Sequence, residues 1–323
     1  MGSERMRCLI TGAAGFIGSH LAMRLVADGH EVIGLDDLSE GSLANLRSIP
    51  EVSFVEGDLR DEDAVRAAAK GCQVIFHQGA VRSVPRSVEA PALTTDVNVR
   101  GTINVLMAAR EESARVVFAS SSSVYGDQEW FPLNELLQPR PRSPYAASKL
   151  AGEAFCHAWS RSYGTPTVSL RYFNVYGPGQ DPSSEYAMAV PLFVLACLTG
   201  ARPTVHGDGE QARDFTYIDD AVQANVLAMR APTRAWGGVF NVGGGQTPTS
   251  VNSLLAMIAE LTGVDPQPVR GPSRPGDVRR THADLTRAHE LLGYAPRTLL
   301  RTGLGLTVDW FRTHKATEAL RRI

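Results

Sequence analysis

The chain is poor in cysteine, in surplus charge and in long apolar runs, and each shortage excludes something. Its four cysteines, Cys8, Cys72, Cys156 and Cys197, stand far apart and form no C-x-x-C pair. That spacing predicts reduced thiols in a cytoplasmic protein. Basic and acidic residues nearly cancel, 32 against 34, for a net charge of −2. The balance argues against a nucleic-acid binder that works through bulk positive charge. No uninterrupted apolar run approaches bilayer-spanning length. The polar start Met-Gly-Ser-Glu-Arg-Met-Arg reads as no signal peptide, and Met at position 6 argues against myristoylation at Gly2. No internal repeat and no low-complexity segment is visible, and no metal site is expected.

What remains is ordinary globular composition over 323 residues, enough for a large core and two lobes. Short apolar runs predict strands at 7–11, 31–35, 52–56, 73–77, 115–119 and 167–171. Helical patterns lie between them at 16–28, 62–70, 97–112 and 145–163. Alternation at this spacing implies right-handed βαβ units, hence a Rossmann-type α/β fold with a doubly wound parallel sheet. Residues 131–144 carry four prolines and read as a long surface loop that delivers the helix starting at Tyr145. From about Tyr172 the composition shifts towards Pro- and Gly-rich loops, which suggests a smaller C-terminal α/β domain for substrate. The expected division is 1–172 for a dinucleotide, with a returning segment at about 215–243, and 173–323 mainly for substrate. Asp284 is a candidate N-cap for a helix ending near Gly293. A last helix at about 298–314 shows Leu300, Leu304, Val308 and Phe311 at core spacing.

Two motifs carry the chemistry. Cys8-Leu-Ile-Thr-Gly-Ala-Ala-Gly-Phe-Ile-Gly18 places Gly12, Gly15 and Gly18 between a strand and a helix, where glycine permits a tight turn and close approach of backbone N–H groups to a pyrophosphate. The spacing is G-x-x-G-x-x-G. Asp36 follows the second strand, where a carboxylate accepts from the adenosine ribose and repels a 2′-phosphate. With no arginine beside it, NAD is expected over NADP. Asp58 after the third strand is placed to reach the adenine edge. His77-Gln-Gly-Ala80 ends the fourth strand and lines the cofactor, with His77 read as structural. The second motif is Ser143-Pro-Tyr-Ala-Ala-Ser-Lys149. Tyr145 and Lys149 are four apart, one turn from each other on one helix face. A nearby ammonium favours the phenolate and makes the tyrosine a base closer to neutrality.

These stretches, with Ser83-Val-Pro-Arg-Ser-Val88, Ser120–Gly126, Arg171-Tyr-Phe-Asn-Val-Tyr-Gly-Pro178, Arg213-Asp-Phe-Thr-Tyr217 and Gly276-Asp-Val-Arg-Arg-Thr-His-Ala-Asp284, resemble the extended short-chain dehydrogenase/reductases, and within them the nucleotide-sugar 4-epimerases. The resemblance runs from Cys8 to about Phe311. It implies a catalytic set of Ser121, Tyr145 and Lys149, with Ser121 assigned three residues before Val-Tyr-Gly inside a run of four serines. It implies NAD contacts at Gly12, Gly15, Phe16, Ile17, Gly18, Asp36, Asp58, Leu59, Gln78, Ala80, Asn98, Tyr145, Lys149 and Tyr172. Asn98 would stand behind the site. UDP-sugar contacts would come from Arg82, Ser121, Ser122, Ser123, Tyr145, Phe173, Asn174, Arg213, Arg274, Asp277 and Thr281. The family pairs the 97–112 helix with the Tyr145 helix in a homodimer, to which Phe155 and Trp159 would add apolar area unless they face the chain's own sheet.

The mechanism so implied is proton abstraction from the sugar 4-hydroxyl, a transient 4-keto sugar that turns in the site, and return of hydride to the other face. Related dehydratases carry an Asp-Glu pair after the catalytic hydroxyl; Ser122 and Ser123 stand there instead. Asn174 and the 180–186 loop sit closer to hexose and N-acetylhexosamine enzymes than to glucuronate epimerases. Small Thr281 leaves room for a 2-acetamido group. A dinucleotide-binding sensor on the same fold is the competing class, and an intact Ser–Tyr–Lys set argues against it.

Overall fold

The computed structural model describes residues 5–182, 188–273 and 278–320. Seven strands form one parallel sheet: β1 (Arg7–Thr11), β2 (Glu31–Asp36), β3 (Ser53–Glu56), β4 (Val74–His77), β5 (Arg115–Ser121), β6 (Thr167–Tyr172) and β7 (Gly238–Val242). Their order across the sheet is 7-6-5-4-1-2-3. Strand order therefore reverses beside β1, and ligands of such sheets bind at the carboxyl ends of the strands at that switch point.

Both faces of the sheet are covered, which is why its strands read as continuous apolar runs. Along β1, Cys8 and Ile10 enter one core and Leu9 enters the other. The first core lies under α1 (Phe16–Ala27) and α5 (Ile218–Met229), and continues into the C-terminal lobe. The second lies under α2 (Glu62–Ala69), α3 (Gly101–Glu111) and α4 (Pro144–Tyr163). The C-terminal lobe packs helices Ala189–Thr199 and Val251–Thr262 against α6 (Leu300–Leu320), with three two-stranded pairs facing the cleft side of the chain. Leu304 and Val308 of α6 are buried as their spacing implies.

Helix α4 starts where its sequence says it should. Ser143 Oγ accepts from Ala146 N at 3.1 Å, Pro144 takes the first helical position, and Gly164 closes the helix at φ 70°.

Three expectations need correction, and one left open is decided. The helix expected at 97–112 is interrupted: residues 96–100 form a π turn, and the α-helix proper begins at Gly101. The wider turn accommodates Asn98, whose side chain is fully used inside. The proline-rich 131–144 segment is not simply surface. Leu133 is buried, its N donates to His282 O at 2.7 Å, and Glu135 Oε1 accepts from Asn241 N at 2.7 Å. The helix after Asp284 begins at Thr286, so Asp284 stands one residue outside the N-cap, accepting from Thr286 N at 2.9 Å. Phe155 and Trp159 pack against the core under α2–α4, which takes much of their apolar area from any outer face. Among the described residues, no helix is long and apolar enough to cross a membrane.

Candidate active site

A cleft of about 1980 Å³ runs along the carboxyl ends of the strands. Gly12, Gly15, Phe16, Ile17, Gly18, Asp36, Leu59, Gln78, Ala80, Tyr145, Lys149 and Tyr172 line it. Gly12 sits at φ +69°, and a Cβ there would lie 2.7 Å from Gly79 backbone; one on Gly18 would lie 2.1 Å from Gly12 O. Only glycine fits either place. Gly15 opens α1 with no side chain accepting from the first turn, so those N–H groups face the cleft as an anion site. Asp36 Oδ2 accepts from Ala14 N and Oδ1 from Leu38 N, each at 2.9 Å. Burial pushes this carboxyl up despite the two backbone bonds, and Asp37 and Glu40 add to the push. The carboxylate of Asp36, with Asp37 next to it, disfavours a 2′-phosphate, so the cradle fits NAD.

Asp58 does not line the cleft. Its carboxylate is forked by Arg60, with Nε 3.0 Å from each oxygen, and that guanidinium holds it below the usual carboxylate range. Asn98 also stays off the wall: Oδ1 accepts from Val81 N at 2.8 Å, and Nδ2 donates to Val81 O and to Ser148 Oγ. It shapes the site from behind. His77 is buried between Thr11 Oγ1 at 2.7 Å and Thr102 Oγ1 at 3.0 Å, and burial lowers its pKa to about 3. It is a neutral structural residue. Half-buried Gln78 joins buried Tyr172 and Asn225 in a polar set beside it, with Asn225 Nδ2 donating to Tyr172 Oη at 2.8 Å.

At the centre, Ser121 stands beside the Tyr145 phenol and favours its ionised form. Ser123 Oγ donates to Ser121 Oγ at 2.9 Å. The neighbouring Ser120 hydroxyl is committed to Glu153, so the run of serines offers Ser121 to the tyrosine. Lys149 Nζ donates to Ala119 O at 2.8 Å and lies 6.0 Å from the Tyr145 ring centre. Burial lowers the lysine to about 8. Tyr145 departs from the expected shift: burial raises its pKa, Ser121 and Arg82 work against that, and Glu40 adds to it. Without a further positive charge the tyrosine is a phenol at neutral pH, because desolvation outweighs its partners.

The other side of the cleft is the substrate half. Ser122, Ser123, Arg82, Asn174, Arg213 and Thr281 all line it. Phe173 does not: it is fully buried, with its ring centre 6.2 Å from that of Tyr125. The alternation that turns Tyr172 to the cleft turns Phe173 inward. Thr281 is more than a small wall residue, because its Oγ1 accepts from Asn174 Nδ2 at 3.3 Å and from Asp214 N at 3.2 Å. Asp214 in turn pins the loop ends, accepting from Gly244 N at 2.7 Å and Ala283 N at 2.9 Å. Arg274 and Asp277 lie outside the described residues. Sequence reading missed Glu40, whose oxygens accept from Arg82 Nε at 3.0 Å and Arg86 Nη1 at 2.8 Å across the cleft mouth. An acidic residue in a Ser- and Gly-containing loop gives no local signal of that partner.

Comparison with known proteins agrees with this geometry. Residues 8–243 match the NAD dependent epimerase/dehydratase family. A UDP-glucose 4-epimerase of Mycolicibacterium smegmatis is 44% identical over 314 residues, covering 95% of this chain and 99% of that protein. The structure of Thermotoga maritima UDP-glucose 4-epimerase with UDP-glucose superposes with a TM-score of 0.91 at 38% identity, over 96% of this chain and 100% of that one. A UDP-N-acetylglucosamine 4-epimerase from Methanobrevibacter ruminantium, in complex with UDP-N-acetylmuramic acid, gives 0.91 at 34% identity, over 96% and 99%. A match over most of the chain, on a sheet and cleft of this form, places the protein in the NAD-dependent epimerase/dehydratase family, among its nucleotide-sugar 4-epimerases.

Proposed function

We propose that this enzyme interconverts the C4 epimers of a neutral UDP-hexose, with or without a 2-acetamido group. The observation that carries the reading is the convergence of Ser121, Tyr145 and Lys149 on the cleft that also holds the glycine turn and Asp36. The cleft-lining residues that follow the serine, Ser122 and Ser123, supply no acid–base pair for elimination of water. We assign residues up to about 172, with the returning strand β7, to the cofactor and the remainder mainly to the sugar nucleotide.

Gly12, Gly15, Gly18 and Asp36 would hold NAD, which would supply the hydride acceptor and donor and a positive charge that favours the phenolate. Tyr145, ionised in that setting, takes the proton of the sugar 4-hydroxyl, and Ser121 hydrogen-bonds the same oxygen. Lys149, kept in place by the Ala119 carbonyl, stabilises the phenolate when charged. After the 4-keto sugar has turned, Tyr145 returns the proton. Asn174 and Arg213 hold the nucleotide diphosphate, so binding energy is spent away from the sugar, which stays free to rotate. Arg274 and Asp277 join that set on the resemblance alone. A homodimer through α3 and α4 is part of the same proposal.

The test is a panel of UDP-glucose, UDP-galactose, their N-acetylhexosamine counterparts and UDP-glucuronate, incubated without added cofactor and separated by product. Conversion of at least one neutral pair is expected, with NAD released on heating. Conversion of UDP-glucuronate alone would contradict the neutral-sugar choice and turn attention to Ser121–Ser123 as a carboxylate site.

A further inference from the structure

Glu153 is a buried carboxylate that the chemistry above does not use. It sits on α4 four residues beyond Lys149 and eight beyond Tyr145, on the same face. Arg171 Nε and Nη2 donate to its two oxygens at 2.8 and 2.7 Å. Ser120 Oγ donates to Oε1 as well. In the sheet, Ser120 of β5 pairs with Arg171 of β6, and Ser121 with Tyr172. One carboxylate therefore joins α4, β5 and β6 at a point one residue behind Ser121 and Tyr172. Arg171 is fixed further by stacking over Tyr125, 4.6 Å from the ring centre.

Filling this space did not require charge. Apolar residues of similar volume commonly replace a buried ion pair without loss of stability. What the fork adds is direction, since two parallel N–H···O bonds and a third from a serine allow little sliding of the helix along the strand. We propose that Glu153, held by Arg171, is a positioning residue: through Ser120 it fixes α4 against the end of β5, and so sets Tyr145 against Ser121. The inference rests on the functional reading above.

Two variants test it in the NAD-loaded protein, Glu153→Gln and Ser120→Ala. The second cuts only the tie to β5 and leaves the ion pair whole, so folding is not at stake. One readout needs no substrate: the ionisation of Tyr145, followed as the phenolate absorbance that Tyr145→Phe lacks. Tyr145 is faced by Ser121 from β5, Lys149 from its own helix, Arg82 from the segment after β4 and Glu40 from the loop after β2. Neither substitution changes any of these. A loosened register weakens the Ser121 contact that favours the phenolate, so the pKa should rise by about half to one unit in Ser120→Ala, and further in Glu153→Gln. The second readout is kinetic: kcat should fall roughly threefold to tenfold in Ser120→Ala and tenfold or more in Glu153→Gln, with KM and NAD affinity within about twofold of wild type. Wild-type phenol titration and wild-type kcat in both variants, with only the melting temperature lowered, would overturn the proposal. A shifted phenol in a protein that converts no UDP-sugar would sink the functional reading and leave the positioning role standing.

Discussion

Lys149 and Arg171 are both almost wholly buried, 4% and 3% exposed, yet the fold provides for them in opposite ways. Arg171 meets a carboxylate fork, a serine beside that fork and a tyrosine face. Burial works to lower its pKa, but Glu153 outweighs burial and holds the guanidinium charged. Lys149 meets one carbonyl and the faces of two rings, and burial brings it down to about 8. The contrast separates structure from function on adjoining elements. A cation meant only to hold the fold is given a carboxylate fork. A cation meant to act on a neighbour is left under-provided, with its charge available to whatever enters the cleft.

The comparison can be broken most sharply at Tyr145. Tyr145→Phe should lower kcat by roughly 10²–10⁴-fold, the usual contribution of a general base, with NAD binding and the melting temperature unchanged. Near-normal turnover would mean that the base has been misassigned. Next in size is Arg171→Met, which leaves Glu153 buried without its fork. It should cost about 3–5 kcal/mol of stability by denaturant unfolding, and a cost below about 1 would erase the distinction between the two cations.

Lys149→Met should do the reverse. The shift from 10.5 to about 8 corresponds to about 3 kcal/mol against the folded state at pH 7, offset by about 1 for the lost bond to Ala119. A net gain of roughly 2 kcal/mol in the cofactor-free protein is expected, together with loss of turnover. The sign follows from linkage. Between about 8 and 10.5 the unfolded chain binds more protons at this lysine, so wild-type stability rises with pH through that window and the variant lacks the rise. Destabilisation at pH 7 would show that Lys149 is structural too.

Much of the fold was legible. β1–β6 were readable within about a residue or two, and all but the exposed edge strand β3 are apolar runs largely buried on both faces. The two-residue strands of the C-terminal lobe, such as Val175–Tyr176 and Ala212–Arg213, are too short to show any period. The π turn at 96–100 depends on what Asn98 meets in the folded chain, and the sequence of that segment alone reads as plain helix. In the site, the glycine turn and the Ser–Tyr–Lys set line one cleft, and they were legible because their chemistry demands those residue types at fixed spacing. Phe173 lies off the cleft, since a motif position does not say which way a side chain faces at the end of a strand. Asp58 also lies off it, its carboxylate forked by Arg60 two residues away.

The smallest expected effect sits at Thr281, where the structure complicates a size argument. Thr281→Val removes the acceptor shared by Asn174 and Asp214 and should cost about 1 kcal/mol in kcat/KM on hexose and N-acetylhexosamine substrates alike. Thr281→Tyr should add about 1–3 kcal/mol of crowding felt only by the 2-acetamido sugar. Equal losses on both sugar types in the tyrosine variant would show that Thr281 holds Asn174 and does not border the C2 substituent.

The central claim is that Tyr145 moves the proton on oxygen while the hydrogen on C4 stays within the enzyme. UDP-galactose, or its N-acetyl counterpart if that is the substrate turned over, should be supplied with deuterium at C4 and epimerised in ordinary water. The product should keep the deuterium at C4, with no cofactor added. Product carrying solvent hydrogen at C4 would mean that the carbon is deprotonated, and would contradict the account.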